Sequence, residues 1–299
     1  MLLLEYSSAI ELCILSNEVI LVIVVTGAAG RLGSLVVRRL IDRGYQVRAT
    51  DRVALDDSPT EFAQVDLRDS RLVGDLLKGA ESVIHMGAIP GPSRGDPREI
   101  FENNIQSTFN IFMTAEELDV RRVVFSSSAF GMGWAHDPNA FVPLYLPLDE
   151  DHPMTPFEPY GLSKQVGESI GALVARRSST SVASLRFTNV ALPEVQAEFP
   201  WPAPTPDNPL TLVMWAYADA EDVADAHVLA LEADIVGHEA FMIAQPKSRF
   251  KEDTIELVER NFGSKVAIHG DLIGNSSPIN ASKAQRMLGW QPRSDWTEH

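Results

Sequence analysis

Unbroken apolar runs recur along the chain: "VILVIVV" at 19–25, "YQVRAT" at 45–50, "EFAQVDL" at 61–67, "ESVIHMGA" at 81–88 and "RRVVFSSS" at 121–128. A strand with one face in water alternates polar and apolar residues, whereas a continuous Val/Ile run is buried on both faces. The intervening stretches 30–43 and 98–118 carry helical patterning. Strands alternating with helices predict an α/β fold, a doubly wound Rossmann-like parallel sheet covered on both sides. After "SVASLRFTNV" the rhythm gives way to "LPEVQAEFPWPAPTPDNPL", rich in proline and aromatics, which reads as the start of a small C-terminal substrate lobe. The expected organisation is an N-terminal extension at 1–18, a sheet domain at 19–187, and a substrate-binding lobe at 188–299, part of which returns to the sheet.

The first strand runs directly into "TGAAGRLGSLVVRRL", with Gly27, Gly30 and Gly33 at the mouth of an amphipathic helix. Glycine there permits a tight turn and lets a pyrophosphate approach the helix N-terminus, where free N–H groups favour negative charge. Gly27, Gly30, Arg31, Leu32 and Gly33 are therefore candidate cofactor contacts. Asp51 closes the next strand, 18 residues beyond Gly33. A carboxylate at that place can accept both ribose hydroxyls of NAD and repels a 2′-phosphate, so NAD is the expected cofactor; Arg52 weakens this preference without reversing it.

Composition narrows the partners. With 25 Lys and Arg against 41 Asp and Glu, the net charge is −16, which repels nucleic acid and anionic membranes. A single cysteine, Cys13, cannot form an intramolecular disulfide or a thiolate metal cluster. The apolar N-terminal stretch is interrupted by Glu5, Glu11 and Glu18 and lacks a basic leader, so neither an export signal nor a membrane span is expected. A cytoplasmic enzyme with a small-molecule substrate and no metal fits this composition.

"EPYGLSK" places Tyr160 and Lys164 on one helix face, four residues apart, with Pro159 suited to the first turn. A tyrosine with pKa near ~10 is a poor base at neutral pH, but a nearby ammonium favours the phenolate. The spacing alone also fits an ordinary helix turn. "TGAAGRLG", "VVFSSSAFG", "HPMTPFEPYGLSK", "LRFTNV", "YADAEDVADA" and "INASKAQRMLGWQP" occur in the order seen in the extended short-chain dehydrogenase/reductase family, and the chain resembles that family from about residue 19 to about 292. The resemblance implies that Tyr160 is the catalytic acid or base, that Lys164 binds nicotinamide-ribose hydroxyls and lowers the tyrosine pKa, and that Ser128 hydrogen-bonds the reacting oxygen. It further implies cofactor contacts at Asp66, Leu67, Gly87, Ala88, Asn104, Ser126, Phe187 and Asn189, besides Tyr160 and Lys164, and a homodimer through the Tyr160 helix and the helix near 98–118. His85, His136 and His152 are expected to be packed or loop residues.

Charge in the substrate segment bears on the reaction. No Lys or Arg lies between Phe187 and Pro246, and only 26 residues, Ala191 to Ala216, separate two of the family motifs, where nucleotide-sugar epimerases of the family carry a longer segment. Desolvated phosphate oxygens need charged donors. The expected activity is thus hydride transfer between NAD and a small, neutral sugar-like alcohol or carbonyl compound, with a nucleotide-sugar epimerase or dehydratase holding NAD tightly as the alternative. A non-catalytic dinucleotide sensor would not retain Ser128, Tyr160 and Lys164. Arg94 and Arg98 are the remaining cations for an anionic substrate, and Phe130, Met132, Trp134, Phe141, Tyr145, Trp201 and Trp215 are candidates for an apolar lining.

Overall fold

A computed structural model describes residues 22–133, 141–293 and 295–298; the extension at 1–18, Trp134 and His136 lie outside them. Strands β1 (Val22–Thr26), β2 (Gln46–Asp51), β3 (Glu61–Gln64), β4 (Ser82–His85) and β5 (Arg122–Ser126) alternate with helices α1 (Arg31–Asp42), α2 (Ser70–Leu77) and α3 (Pro97–Glu117). The short α4 (Phe130–Gly133) and β6 (Tyr145–Leu146) precede α5 (Pro159–Arg177), which leads into β7 (Ser181–Phe187). Then follow β8 (Val190–Ala191), α6 (Pro193–Gln196), β9 (Ala218–Asp219), α7 (Ala220–Glu232), β10 (His238–Ile243), α8 (Thr254–Phe262), β11 (Ala267–Ile268) and α9 (Ser282–Leu288).

Seven strands form a parallel sheet in the order β10-β7-β5-β4-β1-β2-β3. Chain order reverses at β1, because the chain goes from β1 outward to β2 and β3 and then crosses back to β4. The loops leaving β1 and β4 therefore diverge, opening a crevice at their carboxyl ends. Burial explains the unbroken apolar runs: Ile23, Val24 and Val25 are all fully inaccessible, with alternate side chains entering the cores on the two sides of the sheet.

Most long helices start on an acidic cap. Asp69, Asp96, Asp219 and Asp253 each accept hydrogen bonds from two N–H groups in the first turn of α2, α3, α7 and α8. Helix α1 instead begins at Gly30 with no side-chain cap and no acid in its first turn, leaving its N-terminal donors to whatever enters the crevice.

Residues 220–243 return to the sheet domain. Helix α7 packs beside α1, held by Arg39 to Glu221 (2.6 Å) and Asp225 (2.9 Å), and β10 pairs with β7. The remaining lobe has its own core, in which Met132, Phe141 and Trp215 sit among Leu146, Leu212 and Phe250. Those three are packing residues, at most 5% exposed, and of the described aromatic lining candidates only Phe130 borders the cleft described next. Tyr145 is likewise taken up by His269, on which it stacks at 4.7 Å.

Candidate active site

A cleft of about 690 Å³ runs along the carboxyl ends of the strands. It is bordered by Gly27, Gly30, Arg31, Leu32 and Gly33, by Ser126, Tyr160 and Lys164, and by Phe187, Asn189 and Leu192. A connected recess holds Asp51, Asp66, Leu67 and Gly87 together with Asn103 and Ser107, two residues absent from the expected site. Ala88 borders both.

The glycines are required by close approach. Gly27 has φ +71°, and a Cβ there would come within 2.9 Å of the Gly87 nitrogen. A Cβ on Gly33 would run into the Gly27 carbonyl oxygen. Asp51 accepts the Ala29 N–H at 3.1 Å and the Val53 N–H at 3.2 Å, so its carboxylate is fixed at the cradle's edge. Facing it, Thr26 Oγ1 accepts the N–H groups of Met86 (3.1 Å) and Gly87 (2.9 Å), which clamps the loop after β4. With both bonds arriving at that oxygen, the hydroxyl proton goes to His85 Nδ1 (2.9 Å), leaving His85 Nε2–H for Thr108 Oγ1 (3.1 Å). Burial pushes the His85 pKa down to about 3, so the ring is a neutral brace. These features fit a dinucleotide: a bare helix N-terminus, a cradle only glycine can line, and a carboxylate at the ribose position.

Helix α5 carries Tyr160 and Lys164 to the cleft. It starts where Glu158 caps the N–H groups of Tyr160 and Gly161, both at 2.6 Å, with Pro159 in the first turn. Gly161 has no side chain because a Cβ would lie 2.7 Å from the Phe130 carbonyl oxygen, and this approach sets Tyr160 against β5's end. The Tyr160 hydroxyl lies near enough to the Ser128 side chain for it to lower the tyrosine pKa in part, although Ser128 itself does not border the cleft, and the ring lies edge-on to Phe130 at 6.1 Å. Lys164 Nζ donates to the Ser126 carbonyl at 2.8 Å and sits 5.6 Å from the Tyr160 ring centre. Two ammonium donors are thereby left for a ligand.

Burial governs both titrations. It pushes Tyr160 up to about 12, with the Ser128 hydrogen bond only partly opposing it, and pushes Lys164 down to about 8. In the protein alone the shift is upward, opposite to the expected lowering, because desolvation of the phenolate dominates and Glu158 adds to it.

Other expected contacts are placed differently. Asn104 borders neither cleft nor recess: its amide accepts from the Ile89 N–H (2.8 Å) and donates to the Ile89 carbonyl (3.2 Å), bracing the loop after β4. Ser126 faces the cleft, but its hydroxyl is bonded to His227 Nε2 at 2.8 Å. The Ser127 hydroxyl donates to Glu168 at 2.5 Å, and Glu168 is in turn paired with Arg186 at 2.8 Å. Arg94 borders the cleft, Arg98 does not.

One cation escaped the sequence reading. Arg249 lies three residues past the segment searched for basic residues, and its main chain folds back onto Trp215 and Trp201 (3.0 Å each). Its guanidinium is fully buried in the lobe, 4.7 Å from the Trp201 ring centre. The C-terminal lobe therefore buries a positive charge, brought in by a contact that sequence order does not reveal.

The fold and the cleft together fit an enzyme that binds a dinucleotide. The model of the NAD-dependent epimerase/dehydratase family matches residues 23–202, and the chain belongs to that family. NAD is its cofactor. A putative UDP-glucose 4-epimerase of Methanocaldococcus jannaschii is 35% identical over 176 residues, a stretch spanning 56% of this chain and about half (55%) of that protein. The UDP-glucose 4-epimerase of Lactobacillus helveticus is 26% identical over 91% of this chain and 92% of its own. Among solved structures, MoeE5 in complex with UDP-glucuronic acid and NAD superposes with a TM-score of 0.68 at 26% identity, covering 92% of this chain and 98% of that one.

Proposed function

We propose that the protein interconverts nucleotide sugars as an epimerase or dehydratase that retains its NAD. The observation carrying this reading is the likeness to UDP-glucose 4-epimerases along nine-tenths of the chain, which favours the alternative over a small neutral substrate. Bound NAD supplies the hydride acceptor and, when oxidised, a positive charge that favours a nearby phenolate.

In this reading Tyr160 takes the proton of a sugar hydroxyl, and Ser128 holds the reacting oxygen through a hydrogen bond. Lys164, anchored on the Ser126 carbonyl, directs its free donors at ribose hydroxyls. Gly27, Gly30 and Gly33 with the α1 N-terminus would take the pyrophosphate, and Asp51 the adenosine ribose.

Cofactor consumption decides the matter. Incubation with UDP-glucose is expected to yield an altered UDP-sugar by chromatography, without sustained NADH absorbance. Steady NADH formation from a neutral alcohol, with the nucleotide sugar untouched, overturns the reading and restores the dehydrogenase that the short 26-residue lobe segment favours. Tyr160→Phe is expected to lower turnover by ~10²–10⁴-fold while NAD still binds.

A further inference from the structure

Three turns of α5 meet the end of β5. Tyr160, Lys164 and Glu168 are spaced four apart, share one helix face and are all buried. Against them lie three consecutive serines. The Ser128 side chain is near the Tyr160 hydroxyl, the Ser126 carbonyl accepts Lys164 Nζ at 2.8 Å, and the Ser127 hydroxyl donates to Glu168 Oε1 at 2.5 Å. Ser127 and Glu168 do not themselves border the cleft.

Glu168 is clamped in place. Arg186 Nε reaches its two oxygens at 2.9 and 3.2 Å and one terminal nitrogen reaches it at 2.8 Å, while the other donates to the Glu150 carbonyl at 3.2 Å. A buried carboxylate held by such a charge-assisted fork is a fixed point, and the chain leaving β5 is tied to it through Ser127. That chain turns sharply, the Ser127 N–H bonding back to the Phe125 carbonyl at 2.9 Å. On the far side of Ser128 the Ala129 N–H donates to the Phe187 carbonyl at 3.0 Å, next to Arg186. Ser128 is therefore suspended between two anchors, and its own hydroxyl accepts the Phe130 N–H at 3.1 Å. Of the two anchors, the one at Ser127 is a side chain.

We propose that Glu168, clamped by Arg186, is a positioning residue: through the Ser127 hydroxyl it fixes the end of β5, so that Ser128 is presented to Tyr160 and the Ser126 carbonyl to Lys164. The proposal goes beyond the nucleotide-sugar reading and rests on it only in taking Tyr160 as the proton acceptor.

Tyrosinate absorbance of the NAD-loaded protein, titrated with base and referenced to Tyr160→Phe, reads the Tyr160 midpoint without any substrate. The charged groups around Tyr160, Glu158 at its N-cap and Lys164, are the same in every variant compared. Ser127→Ala deletes the tether and keeps the Glu168–Arg186 pair. Because the Ser128 side chain is the group that lowers the Tyr160 pKa, the midpoint is expected to rise by more than about half a unit. Turnover of UDP-glucose is expected to show kcat lower by at least about tenfold, with KM and NAD affinity within about threefold of wild type. Ser127→Thr, which keeps the hydroxyl, is expected to restore the midpoint. If Ser127→Ala shows no cooperative melt, Ser127→Cys, close in size but a weak donor, carries the same test.

A midpoint equal to wild type in the variant lacking the tether overturns the proposal even where kcat falls, and leaves the nucleotide-sugar reading standing. A shift that Ser127→Thr fails to reverse also overturns it, since the hydroxyl is then not the cause. A reversible shift in a protein whose wild type does not turn over UDP-glucose supports the proposal and removes the nucleotide sugar.

Discussion

Lys164 is buried as a cation with one hydrogen bond to a carbonyl, and this leaves a thermodynamic signature. Its pKa in the folded protein is pushed down to about 8, below the unfolded value near ~10.4. Between those values the unfolded chain binds more protons, so stability rises with pH across the window, by of order 3 kcal/mol if burial alone acts. Tyr160 has the opposite sign: its folded pKa of about 12 lies above the unfolded value, so its contribution is lost between pH ~10 and 12. Urea unfolding at pH 8 and pH 10 is expected to show Lys164→Met losing most of the upward slope seen in the wild type; an unchanged slope would mean that another group carries it. That Tyr160 and Lys164 share one face of α5 was readable beforehand, because a four-residue spacing brings two side chains to the same side of a helix. Arg249 was not readable, since its contact with Asn189 joins positions 60 residues apart across a lobe boundary.

At the scale of elements, the placement of α1 depends on Gly33. Because a Cβ there meets the Gly27 carbonyl, Gly33→Ala is expected to push the helix off the cradle and weaken NAD binding by more than ~10-fold in calorimetry, with the far-UV spectrum preserved. Helix α5 and strand β7 are tied by the buried Glu168–Arg186 pair, which also receives the Ser127 hydroxyl. Removing one member leaves an uncompensated charge, so Arg186→Met is expected to cost ~3–5 kcal/mol in denaturant unfolding. Replacing both residues by apolar ones of similar volume should cost less. Helix phase explains the mismatch on α3: adjacent residues point about 100° apart, so Asn103 and Ser107 reach the recess while Asn104 turns to Ile89. Sequence located the helix, but its rotation is set by packing against α5 and the sheet.

For the whole molecule, residues of the sheet domain and residues 188–190 and 192 border one cleft, and no described helix is long and apolar enough to cross a membrane. Helices α3 and α5 pack on each other and leave Phe109 and Leu162 exposed at 45% and 39%. We propose this pair of helices as the homodimer surface that the family resemblance implies. Sedimentation is expected to give a dimer for the wild type and a monomer for Phe109→Glu; a wild-type monomer, or a dimeric variant, would remove this surface from consideration.

The linear sequence determined the parallel sheet, the glycine cradle, the acid at the end of β2 and the Tyr160–Lys164 face, because burial on both faces, backbone clearance and helical spacing are imposed on neighbouring residues. Tertiary structure alone decided which aromatic residues became lobe core, which asparagine braces rather than binds, and how a charge beyond the inspected segment came to stand behind Asn189. Those outcomes depend on packing between distant segments, where desolvation and hydrogen-bond satisfaction, rather than local pattern, select the partner.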